Sequence, residues 1–178
     1  MANSSQNKRF YTPVELGLSA ASATTGAWTL AFSAAGAPTS TVSLDKAAAA
    51  TNSVLHITLP KGSKGNGYED SPIASFALFY NTTTADHTTA PAVVLRKYTM
   101  NTTTGLVVIA TVATTLVFSG VDAIGKVSGA AAAGAHIATA TITTPAALLD
   151  NESLVSTWTM GEAATSVLDI TGMQVTYN

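Results

Sequence analysis

The chain predicts an all-β fold, an antiparallel β-sandwich of jelly-roll type with one or two short helical turns. Three observations carry this. From Trp28 onward apolar residues recur with period two rather than 3.6. About ten short runs rich in Val, Ile, Thr and aromatic residues are separated by Gly, Pro, Asn and Asp. Only two segments, 45–51 and 145–151, carry a helix-start signature.

In chain order, residues 1–12 form a polar leader that would fray unless laid against something. It is expected to be an N-terminal arm, apart from a single sandwich domain over 13–178. Phe10 and Tyr11 are its only large apolar anchors, and Lys8 and Arg9 just before them could meet an acidic patch. These four residues are the candidate docking residues for a neighbouring subunit or a larger surface. The competing expectation is an arm that pairs as an edge strand of its own domain. Strands are expected at 28–34, 41–44, 54–59, 73–81, 92–99, 106–112, 114–118, 136–143, 153–160 and 166–177. The 73–81 segment puts Ala74, Phe76, Leu78 and Tyr80 on one face and Ile73, Ser75, Ala77 and Phe79 on the other. Both faces are partly apolar, so the outer one should be covered by a neighbour or a loop. Asp45 could cap a single helical turn through the Ala run that follows, and Pro145 could open another.

Composition excludes several function classes. Hydrophobic residues make up 47% of the 178 and charged residues 10%, which excludes disorder driven by charge. Ala and Thr together supply roughly a third of the chain, so much of the surface is small and neutral. A net charge of -2 and a pI of about 5.8 give no basic field for nucleic acid or an anionic membrane, and neither is expected as a partner. There is no cysteine, hence no disulfide, thiolate metal site or cysteine nucleophile. Pro13, Glu15 and the polar cluster at 22–25 break the apolar core a secretory signal would need, so an unprocessed chain is expected. The run 123–140 contains Lys126 and His136 and is too rich in Ala and Gly to span a bilayer.

Chemical motifs are few. His56, His87 and His136 lack the i, i+4 partner of a helical metal site. The segment 125–129, Gly-Lys-Val-Ser-Gly, puts its serine in the fourth place of a pentapeptide whose nucleophile belongs in the third. The Gly-rich run 62–67 lacks the order of a phosphate loop, and Glu69 with Asp70 would bind calcium only if more oxygen ligands converged there. Sequons at Asn3, Asn81, Asn101 and Asn151 matter only in a secretory pathway. No enzymatic activity, catalytic residue, cofactor or metal is expected.

From Leu59 onward a wider likeness enters. It rests on the Leu59-Pro60 exit with its Gly-rich loop, on 73–80 leading into 83–85, on 145–152 before 154–158, and on the closing 168–177. In strand spacing and texture this region resembles small jelly-roll proteins of tailed bacteriophage virions, the capsid decoration or cement proteins. The resemblance implies a non-enzymatic protein that binds the major capsid protein and reinforces the outer surface of the head. It also implies a homo-oligomer, expected to be a trimer, located on the virion and in the host cytoplasm during assembly. A function of another class is a receptor- or carbohydrate-binding sandwich of a tail fibre or cell surface. That reading needs exposed aromatics around a concave site, for which Tyr68, Tyr98, Trp28 and Trp158 are the candidates. Trp158 alternates with Leu154 and Ser156 and reads as core.

Overall fold

The computed structural model describes residues 8–12, 15, 19–21, 28–32, 42–46, 52–61, 71–82, 89–120, 134–161 and 168–178. They form twelve strands and no helix: β1 Lys8–Tyr11, β2 Ser19–Ala21, β3 Trp28–Phe32, β4 Val42–Lys46, β5 Asn52–Leu59 and β6 Ile73–Thr82, followed by β7 Thr89–Met100, β8 Val107–Val112, β9 Thr114–Gly120, β10 Gly134–Ile142, β11 Glu152–Gly161 and β12 Leu168–Tyr177. All ten expected strands are present, and the β-sandwich is the observed class.

One sheet has seven strands in the order β3-β4-β12-β6-β10-β9, with β1 also paired to β12; the other has five in the order β2-β5-β11-β7-β8. Every pairing is antiparallel. From β4 onward the partners nest: β4 with β12, β5 with β11, β6 with β10, and β7 with β8. Nested pairing, with the chain repeatedly crossing between the sheets, is the double Greek key of a jelly roll. The remaining strands widen it, β9 on β10, β2 on β5, β3 on β4, and β1 beside β4 along one edge of β12.

The core lies between the sheets and is built by the inward residues of each alternation. Phe76 of β6 and Trp158 of β11 meet edge to face across it, with ring centroids 5.9 Å apart. Around them Leu55, Ile57, Leu78, Leu95, Ile170, Met173 and Tyr177 are fully buried. Each such side chain contributes about 1.5–3 kcal/mol by leaving water. Trp158 is thus core, on the same face as buried Leu154 and Ser156. Ser156 is a satisfied polar group: its hydroxyl donates to Ile57 O and accepts the Trp158 indole N–H, both at 3.2 Å.

Two expectations are corrected. Residues 145–151 are not helical; they run irregularly and end in a turn in which the Glu152 N–H donates to Leu149 O at 3.0 Å. On this irregular path Leu148 is buried in the core cluster, a gain that a single unsupported turn of helix would not offset. In the other segment Asp45 and Lys46 belong to β4 and residues 47–51 lie outside the described residues.

The outer face of β6 finds its cover within the chain. Phe10 of β1 packs edge to face on Phe79, centroids 5.5 Å apart, and lies over Gly172 of β12. A Cβ at Gly172 would collide with the Phe10 ring and come 2.7 Å from Tyr11 O. Its φ of 157° accompanies a register shift between Ile170 and Gly172. Glycine is therefore the residue that lets β1 lie this close.

Candidate functional site

The sequence-predicted docking residues are strand residues of the sandwich itself. Lys8 to Tyr11 pair with Thr176 to Met173 of β12. Tyr11 is buried, and its hydroxyl donates to that of Tyr177 at 2.9 Å, which in turn donates to Pro60 O at 3.0 Å. Arg9 lies over the Tyr11 ring, 5.0 Å from its centroid. Of the expected arm, Lys8–Tyr11 pair with β12 and residues 1–7 lie outside the described residues. The reason is local: alternation sends Tyr11 inward and Phe10 onto Phe79, so both anchors are used on their own sheet.

The other candidates do not converge. His56 Nδ1 is 3.0 Å from Thr157 Oγ1, and the Arg96 guanidinium reaches the same hydroxyl at 3.4 Å, on the outer face of the five-stranded sheet. His136 is buried in β10 and stacks on Tyr80 of β6, centroids 5.3 Å apart. Burial of that tyrosine pushes its hydroxyl up to about 12. His87, Tyr68, residues 125–129, and Glu69 with Asp70 lie outside the described residues, as does the Trp28 side chain. Among the described residues no three His, Asp or Glu side chains are grouped to hold a metal, and no helix is long and apolar enough to cross a membrane.

What the fold does assemble is an apolar edge. Strands β7 and β8 form a hairpin at one side of the five-stranded sheet, with β7 paired to β11 and β8 outermost. Its turn is held by Asn101: the side-chain oxygen accepts the backbone N–H of Thr103 and Thr104 at 2.9 and 3.0 Å. The Asn101 N–H donates to Leu106 O, and the Gly105 N–H to Asn101 O, both at 2.8 Å, with Gly105 at φ 71°. This Asx turn gives the tip a defined shape. At the base, Lys97 Nζ sits 2.7 Å from Glu152 Oε1, Thr99 Oγ1 donates to the same oxygen, and the Leu149 N–H donates to Oε2 at 3.0 Å. The Lys97 hydrogen bond, then that from Leu149, holds the Glu152 carboxyl below its usual range against the opposing effect of burial. The Asn151 side-chain amide donates to Met100 O at 2.7 Å.

On this frame β8 is the outermost strand of its sheet and is exposed on both faces. Leu106 is 67% exposed, Val107 53%, Val108 62% and Ile109 55%, with Met100 beside them at 51%. Register with β7 puts Tyr98, Met100, Val107 and Ile109 on the outer face, where the first three line a shallow cleft of about 390 Å³ rimmed by Asp150, Asn151 and Glu152. Val108 and Ala110 lie on the inner face, which leads to a second cleft of about 170 Å³ under the hairpin, lined by Ile73, Val112, Ile142, Leu148 and Leu154 with Lys97 at its mouth. Residues 98–121 carry no charged side chain. Most soluble proteins protect a free sheet edge with charge, proline or a cover; among the described residues β8 has none of these.

Sequence reasoning placed a strand here but not its exposure. A succession of four apolar residues suits a strand at a sheet centre as well as one at its edge. The usable signal was the long stretch without charge flanking an Asn-Thr-Thr-Thr-Gly turn. No protein-family model matches the chain, and no curated protein matches it.

Proposed function

We propose that this chain is a non-catalytic structural protein that works by associating with copies of itself and with a larger protein surface, as a capsid decoration protein bound to the major capsid protein of a phage head. The observation that carries the reading is the exposed, uncharged edge strand β8 on a well-anchored hairpin. A lone protein that displays such an edge exposes both unpaired backbone groups and apolar side chains, a combination suited to association. The jelly-roll topology and the low charge accord with close lateral packing on a shell. A carbohydrate- or receptor-binding role draws less support. Trp158 is core, and three polar side chains of the cleft beside Tyr98 have partners within the chain, Asp150 in Lys61, Asn151 in Met100 O, and Glu152 in Lys97.

The test is co-sedimentation of the purified protein with particles built from a major capsid protein, together with the heat resistance of those particles. Binding that saturates and raises the temperature at which the shell opens supports the proposal. Absence of binding, with retention instead on a glycan surface, replaces it by the carbohydrate-binding reading.

A further inference from the structure

We infer that β8 is a self-pairing edge: two copies of the chain join antiparallel through it about a two-fold axis passing beside Ile109, making one continuous sheet from two five-stranded ones. The inference rests on the self-association proposed above and names its contact.

The direction of the backbone groups supplies the first argument. The Met100 N–H donates to Asn151 O, toward β11 and away from β8. In an antiparallel ladder hydrogen-bonded and non-hydrogen-bonded pairs alternate. Met100 pairs with Val107, Tyr98 with Ile109, and Arg96 with Thr111, so these three β8 residues direct their N–H and C=O to the free edge. A two-fold axis perpendicular to the sheet keeps outer face with outer face. Centred on Ile109, it sets Ile109 beside its own equivalent, Val107 beside Thr111 and Val108 beside Ala110. In that register every outward-directed backbone group meets another one.

The second argument is charge. A two-fold pairing opposes like with like near the axis, so any charged residue on the strand would face its own sign. The uncharged stretch 98–121 spans the whole hairpin tip and β8. Apolar residues cover both faces of the new junction, Ile109 and Val107 outside, Val108 inside.

The third is area. Met100, Leu106, Val107, Val108 and Ile109 are each half to two-thirds exposed. With about 100 Å² of apolar surface on each whole side chain of this kind, the exposed parts of the five come to about 300 Å² per copy. A standard interface buries about 800 Å² on each partner. The pair is accordingly weak in dilute solution and gains strength where copies are held side by side, as on a surface that binds them both. The three-fold assembly that the resemblance implies would need a different, head-to-tail contact.

The experiment uses the chain's lack of cysteine. Under mild oxidation Ile109→Cys should form a disulfide-linked dimer at least tenfold faster than Thr103→Cys at the hairpin tip. Light scattering over a concentration series should show the wild type rising from 18.0 kDa toward twice that mass, and Ile109→Lys, folded by circular dichroism, remaining at the lower value. Equal cross-linking rates for the two cysteine variants, an Ile109→Lys variant that associates as the wild type does, or a wild-type mass that converges on three copies overturns the inference. So does a wild type that stays monomeric yet sediments with shells; the structural role then stands without this contact. Dimers formed through Ile109 by a protein that ignores shells support the contact and remove the role. If the monomeric wild type binds shells and Ile109→Lys does not, the edge takes a strand of another protein, and self-pairing is overturned.

Discussion

Replacing Gly172 by Ala tests how tightly β1 is tied into the seven-stranded sheet. The new Cβ would meet Phe10 ring atoms and stand 2.7 Å from Tyr11 O. The Phe10 ring can swing aside, since that residue is 47% exposed, but the Tyr11 carbonyl belongs to the backbone of a paired strand. Relief therefore requires β1 to lift from β12. Lifting exposes Tyr11, at about 1.5–3 kcal/mol. It also loosens the Phe10–Phe79 contact, about 0.5–1.5 kcal/mol, and the Tyr11–Tyr177 hydrogen bond, about 1 kcal/mol. Partial lifting gives an expected destabilisation of about 2–4 kcal/mol, and at roughly 2–4 °C per kcal/mol for a chain of this length a drop in melting temperature of about 4–16 °C. Urea unfolding followed by the fluorescence of buried Trp158 measures it. In a double-mutant cycle with Phe10→Ala the two changes should couple, because the smaller side chain relieves part of the collision. A Gly172→Ala protein within about 0.5 kcal/mol of the wild type, or strict additivity with Phe10→Ala, would refute the account of β1.

Other changes have equally definite outcomes. Ser156→Ala leaves the Trp158 indole N–H and Ile57 O without their shared hydroxyl inside the core, and should cost about 1–3 kcal/mol in thermal unfolding with no change in fold. Glu152 has a carboxyl pKa lowered in the folded state, chiefly by Lys97. Its contribution is therefore full above the unfolded carboxyl pKa and is lost as pH falls through the folded one. Glu152→Gln should lower stability at neutral pH and flatten its decline in acid, measured as urea midpoints across the pH series; an unchanged acid slope would show that the carboxyl is not held as described.

Much of the sandwich could be read from the chain because its long strands carry their own pattern. Phe76, Leu78 and Tyr80 share one face, as expected, and the structure makes it the inward one; Trp158 is core on the face of Leu154 and Ser156, as expected. Strand β2 has no counterpart among the expected ones, and β1 has only the competing expectation of an arm paired as an edge strand, because three or four residues hold no periodicity; the partner strand defines them. The reading of β7 began at Ala92, just after Pro91, whereas the strand begins at Thr89. A register shift opposite, between Thr159 and Gly161, accommodates a residue that has no N–H to donate. The helix expected at 145–151 gave way to burial of Leu148. For the candidate site, the residue types were visible but their place was not. Whether Leu106 to Ile109 lie in a sheet centre or at its rim depends on strand order, which is decided by pairings between residues far apart in the chain.

The position of β12 has a consequence for synthesis. It is central in its sheet, touching β6 along one side and β4 and β1 along the other, yet it follows the eleven other described strands in chain order. At a ribosomal pace of about 5–20 residues per second, β1 waits roughly ten to thirty seconds for the strand it pairs with, and β4 and β6 are held apart for shorter intervals. Until then Phe76, Leu78 and Tyr80 have one neighbouring strand at most on their sheet, and Tyr11 has none. The nascent chain is therefore sticky for most of its emergence, and this sheet closes in a single late step when Ile170, Met173 and Val175 arrive together.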